Sequence, residues 1–157
     1  MRQVFVLVGS KIMLAAERHA MATSPREAHG EAAPEPLAAS RNVLGEPLES
    51  CGCQPMTGWF RDGSCRTDPG DLGRHTVCCV VTESFLAYTR AQGNDLSAPA
   101  PAYGFPGLKA GDSWCVCAGR WLEAYEDGMA PPMRLNACEI STLEVIPLEV
   151  LRQFAAD

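Results

Sequence analysis

Eight cysteines and three histidines in 157 residues are the side chains with the most chemistry to offer. Cys115 and Cys117 stand one residue apart in "GDSWCVCAGRW", Cys78 and Cys79 are adjacent in "HTVCCVV", and Cys65 follows an Asp-Gly pair in "MTGWFRDGSCRT". Thiolates and imidazoles ligate zinc and iron, and a thiol activated by an imidazole is a nucleophile. The metal set suggested by these runs is Cys65, Cys78, Cys115 and Cys117, with zinc or iron as the ion and Cys138 or Glu139 as further donors. The nucleophile alternative pairs Cys78, or else Cys65 or Cys115, with His75 as base. A third alternative is an interaction module whose cysteines only pack, since a free cysteine behaves as a small hydrophobe.

Spacing limits these alternatives. Residues two apart on a strand share a face at about 6.6 Å, so Cys115 and Cys117 are neighbours that a disulfide would strain. Adjacent Cys78 and Cys79 take opposite faces, and His75, three before Cys78, faces away from it on a regular strand. Upstream, a Gly-rich connection carries Arg61, Arg66, Asp68, Asp71, Arg74 and His75. Arg61, Arg66, Asp68 and His75 are candidates for holding a small anionic ligand, against the alternative of Asx-turns and surface ion pairs. The chain has no phosphate-cradling glycine loop, no G-x-S-x-G elbow and no H-E-x-x-H, so nucleotide hydrolysis, serine-esterase chemistry and zincin proteolysis lack their motifs.

The elements that must position these groups follow from pattern. Asp62-Gly63 between aromatic runs predicts a hairpin. "HTVCCVV", β-branched and apolar, predicts a buried strand, followed by a helix over Glu83 to Gln92 with Thr82 as cap and Gly93 as stop. A Pro- and Gly-rich loop with buried aromatics leads to a strand through Trp114 to Ala118 and a helix from Arg120 to Asp127. "PMRLNACE" and "LEVI" predict two more strands, and Leu148, Leu151 and Phe154 mark the buried stripe of a last helix. The sum is one α+β domain over 42–157, a mixed or antiparallel sheet with about three helices packed on it. Residues 1–41 are expected to be a disordered extension, on the Ala-, Pro- and Glu-rich run from Ala22 to Arg41; a true start at Met13 or Met21 is the alternative.

A hydrophobic fraction of 46%, a charged fraction of 20% and a net charge of −6 describe a globular chain without the basic surface that nucleic acid requires. Lys11 breaks the only amino-terminal apolar run, so neither a secretory leader nor a membrane span is expected, although "HAMA" imitates a cleavage site. A cytoplasmic protein with reduced thiols, and a small molecule or metal ion as partner, is the expectation.

The blocks "NVLGEPLESCG", "MTGWFRDGSCRT", "HTVC", "GNDLSAP", "YGFPGLKAGDSWCVCAGRW", "APP" and "LEVIPLEVL" together resemble the bacterial domain-of-unknown-function family 2237, from about Asn42 to the end. The resemblance implies a small bacterial domain without an assigned activity. It matches Cys51, Cys65, Cys78, Cys115, Cys117 and His75 to family positions, and leaves Cys53, Cys79 and Cys138 outside the pattern. Where the family tends to have a histidine followed by glutamate, this chain reads Cys138-Glu139-Ile140.

Overall fold

The β-branched run after His75 forms strand β1, Val77–Val80, in the computed structural model, which describes residues 40–156. Most of the expected 1–41 extension therefore lies outside the described residues. Strand β2, Ser113–Val116, pairs antiparallel with β1 and sets Cys78 opposite Cys115 and Cys79 opposite Trp114. Directly opposed residues share a face, so Cys78 and Cys115 look to one side of the ribbon. Cys79 and Trp114 look to the other.

Among the described residues there are three α-helices, and the first follows the caps read from the sequence. Helix α1, Glu83–Ala91, starts at Thr82, whose side chain accepts from the Phe85 amide, and is followed by Gly93 at φ 83°. Helix α2, Ala118–Glu126, begins two residues earlier than expected, so Cys117 is its N-cap rather than a strand residue. Helix α3, Leu148–Gln153, buries Leu151. The core between ribbon and helices contains Trp121, Phe85, Met133, Ile146 and Val77. Trp121 donates its indole N–H to the Pro131 carbonyl at 3.1 Å and meets Tyr125 and Phe154 ring to ring. Burial of this aromatic surface stabilises the core.

Three expected strand features do not form. The Asp62-Gly63 segment is a compact loop without strands: positive φ at Gly58 and Arg61 turns the chain where the first strand would run, and the Gly63 amide bonds back to the Thr57 carbonyl. Asp62 is nonetheless a turn residue, accepting from the Ser64 amide at 3.0 Å. "PMRLNACE" makes only a short contact along the free edge of β1, where Val80 donates to the Pro132 carbonyl and Arg134 to that of Cys78. Pro131 and Pro132 have no N–H to extend a ladder, and the chain coils into a 3₁₀ turn at Leu135–Ala137. In place of the "LEVI" strand is a second 3₁₀ turn, Ile140–Glu144, capped by the Glu139 carboxylate on the Ser141 amide and anchored by buried Thr142 on Thr76. No helix among the described residues is long and apolar enough to cross a membrane.

Candidate functional site

The connection into β1 is shaped by aspartates. Asp68 Oδ1 accepts from the Gly70 and Asp71 amides at 2.8 and 3.1 Å, an Asx-type turn that aims the Asp71 side chain inward. Asp71 is buried, and both of its oxygens are used. Oδ2 accepts from the His75 amide at 2.8 Å and the Thr67 hydroxyl at 3.0 Å, while Oδ1 meets His75 Nδ1 at 2.6 Å. With Nδ1 so engaged, the opposite ring nitrogen, Nε2, lies 3.1 Å from Cys117 Sγ.

Three further features hold this line of groups. The Trp59 ring lies parallel to the imidazole, with centroids 5.9 Å apart, and its indole N–H is tied to Asp68. The Ala118 amide donates to the Arg74 carbonyl at 2.9 Å, which fastens the start of α2 to the histidine loop. Gly73 passes so close that an added Cβ would sit 2.9 Å from His75 Cε1 and 3.1 Å from Cys117 Sγ. Only glycine leaves room there for the ring and the sulfur to meet.

Electrostatics follow the geometry. Burial by itself would lower the His75 pKa, but the hydrogen bonds and charges of Asp71 and Cys117 outweigh it and raise it from 6.5 to about 10. Burial would likewise raise the Asp71 pKa, and the His75 hydrogen bond and charge overcome it to leave the pKa below the ordinary carboxylate value. His75 is therefore an imidazolium at neutral pH, held between a carboxylate and a sulfur.

A cleft of about 420 Å³ opens beside the sulfur, lined by Leu72, Gly73, Arg74, Cys117, Gly119 and Arg120 among others. The Gly119 and Arg120 amides lie in the first turn of α2, where backbone N–H groups have no acceptor within the helix. An added Cβ at Gly119 would meet nothing within 4 Å, so the helix start is open to a ligand.

The structure distributes the sequence candidates differently from their expected grouping. His75 meets Cys117, whereas Cys78 is disulfide-bonded to Cys51, and Cys65 to Cys115. The expectation of reduced thiols thus fails for four of the eight cysteines, and the expected metal set is divided: Cys65, Cys78 and Cys115 lie in one sulfur cluster and Cys117 at the histidine. The sulfurs of Cys51, Cys65 and Cys78 lie within 4.8 Å of one another, near enough to serve one metal ion when reduced. Arg66 pairs with Asp62 at 2.5 Å over the Phe60 ring, and Arg61 lies over Trp114. Arg66 is thus occupied by its own segment, Arg61 by the Met56 carbonyl and the Trp114 ring of β2, and Asp68 by the turn and Trp59.

Asp71 and the pairing of Cys117 with His75 were not among the catalytic candidates. The available signals were the Asp71-to-His75 spacing in a glycine-rich turn and the good helix-forming residues directly after Cys117. A family model described as "Uncharacterized protein conserved in bacteria (DUF2237)" matches residues 41–155. No curated protein matches the chain.

Proposed function

The chain belongs to the bacterial family DUF2237, whose description assigns no activity, and from the site we propose an enzyme with Cys117 as nucleophile, His75 as acid and base, and Asp71 as the group orienting His75. Its reaction is acyl transfer or hydrolysis of a small ester, thioester or amide. The observation that carries this proposal is the continuous line from Asp71 Oδ1 to His75 Nδ1 at 2.6 Å and from His75 Nε2 to Cys117 Sγ at 3.1 Å. Nucleophile, base and orienting carboxylate at hydrogen-bond distances are what covalent catalysis by a thiol requires.

The steps follow from the positions. With its proton held on His75 Nε2, Cys117 Sγ attacks the acyl carbonyl carbon, and the displaced electron pair moves onto the carbonyl oxygen. That oxyanion faces the Gly119 and Arg120 amides at the positive end of α2. Collapse of the intermediate expels the leaving group, which takes the proton from His75 Nε2. Neutral His75 then accepts a proton from water or an acceptor alcohol as its oxygen attacks the acyl-cysteine, and collapse releases Cys117 Sγ and restores its pair with His75. Asp71 stabilises the imidazolium throughout and fixes its tautomer when neutral. The net charge of −6 favours a small-molecule substrate over nucleic acid.

The test uses the full chain with p-nitrophenyl acetate and with iodoacetamide at pH 6 to 7. An acetyl adduct should appear on Cys117 by peptide mass, and Cys117 should alkylate faster than exposed Cys53, a reference thiol in the same molecule. His75→Ala should slow both reactions by about 10²-fold or more. No acetyl adduct, together with Cys117 labelling no faster than Cys53, would refute the proposal.

A further inference from the structure

The four half-cystines form a second site. Cys78 and Cys115 are cross-strand partners on one face of the ribbon. Their disulfide partners, Cys51 and Cys65, reach the same place from the loop preceding β1, with Cα separations of 5.6 and 5.4 Å. All four are buried, and three of their sulfurs already lie within 4.8 Å of one another. A zinc tetrathiolate has Zn–S bonds of about 2.3 Å and hence sulfur-to-sulfur edges of about 3.8 Å. Cys115, the disulfide partner of Cys65, supplies the fourth sulfur.

A guanidinium stands at the edge of the cluster. Arg134 places a terminal nitrogen 3.7 Å from Cys78 Sγ, and its buried Nε has no hydrogen-bond partner. Beside two neutral disulfides this positive charge has no anionic counterpart in the cluster. Beside four thiolates and one zinc ion, which together carry a double negative charge, it is complementary. The Cys78 amide also points to a sulfur, that of Cys138, at 3.2 Å.

We propose that the reduced protein binds one zinc ion through Cys51, Cys65, Cys78 and Cys115, so that the same four sulfurs alternate between two disulfides and a tetrathiolate metal centre. Reduction of the two disulfides takes four electrons and four protons, supplied by two equivalents of a dithiol that is itself oxidised to disulfide. Zn²⁺ then displaces the four thiol protons to solvent. Cys117 has no part in this site, and zinc binding is independent of the acyl-transfer proposal.

The test takes the full chain reduced anaerobically with a phosphine, freed of reductant and titrated with Zn²⁺ or with Co²⁺ as a spectroscopic probe. One equivalent should bind, with the visible bands of tetrahedral cobalt thiolate. Alkylation mapped by mass should show zinc protecting Cys51, Cys65, Cys78 and Cys115 while Cys117 stays reactive. Cys115→Ser should weaken zinc by more than the roughly 10- to 100-fold that changes beyond the ligand shell cost, and Cys117→Ser should leave the affinity unchanged. Substoichiometric metal, protection of Cys117, or protection of Cys79 and Cys138 in place of the four would overturn the proposal. The footprint on the unmodified chain decides the matter even if a serine variant fails to fold.

Discussion

Gly73→Ala tests the site through a residue with no reactive group. The added Cβ would lie 2.9 Å from His75 Cε1 and 3.1 Å from Cys117 Sγ, where carbon contacts normally rest at about 3.5 to 4.0 Å. Relief requires the ring to move by roughly 0.6 Å or more and the sulfur to yield as well. Trp59 lies parallel to the imidazole and Asp71 holds Nδ1, so the ring has little room, and the 3.1 Å contact to Cys117 is what opens. Misplacement on the scale of 1 Å costs about 10²-fold in rate, while overpacking costs about 1 to 3 kcal/mol in stability. The assay is iodoacetamide labelling of Cys117 relative to Cys53 in the same sample, with a urea unfolding curve to show that the variant is folded. The Cys117-to-Cys53 rate ratio should fall by about 10²-fold with Cys53 itself unchanged. A folded Gly73→Ala protein that labels Cys117 at the original rate would refute the claim that the His75 to Cys117 contact sets its reactivity.

Other consequences follow from the same structure. Asp71→Asn, which removes the charge that orients His75, should lower Cys117 acetylation by about 10²-fold or more while the fold is retained, checked by adduct formation and circular dichroism. His75 keeps its proton to about 10 in the folded chain against 6.5 as its ordinary value. Its stabilisation is therefore complete below pH 6.5 and is lost as pH rises through about 10. Urea unfolding at pH 6.5 and 9.5 should show a larger loss for the natural chain than for His75→Gln, and equal losses would discount the ion pair. Replacing Cys51 and Cys78 together by alanine opens a closure of 27 residues and should cost the oxidised protein about 3.5 kcal/mol in denaturant unfolding. Gly119→Ala adds a methyl that meets nothing and should raise stability by about 0.5 to 1 kcal/mol, measured by the same unfolding curve.

Local signals in the sequence were decisive where a short segment determines its own conformation. Thr82 before a helix and Gly93 after it placed α1 within a residue, because cap and stop act through adjacent backbone groups. The apolar run of β1 and the stripe of α3 are similarly local. "LEVI" failed because the capping bond from Glu139 and the contact of Thr142 with Thr76, 66 positions upstream, outweigh β propensity. The hairpin failed because positive φ at Gly58 and Arg61 turns the chain where its first strand would run.

By itself the sequence determined that the domain is α+β and singled out the cysteines and His75 as its candidate reactive groups. The tertiary structure alone decided the pairings. A helix start two residues earlier turned Cys117 from a strand ligand into an N-cap thiol aimed at His75. Antiparallel register placed Cys78 and Cys115 on one face, where Cys51 and Cys65 close over them. Contacts between residues 27 to 50 positions apart depend on how loops return across the core, which no local spacing encodes.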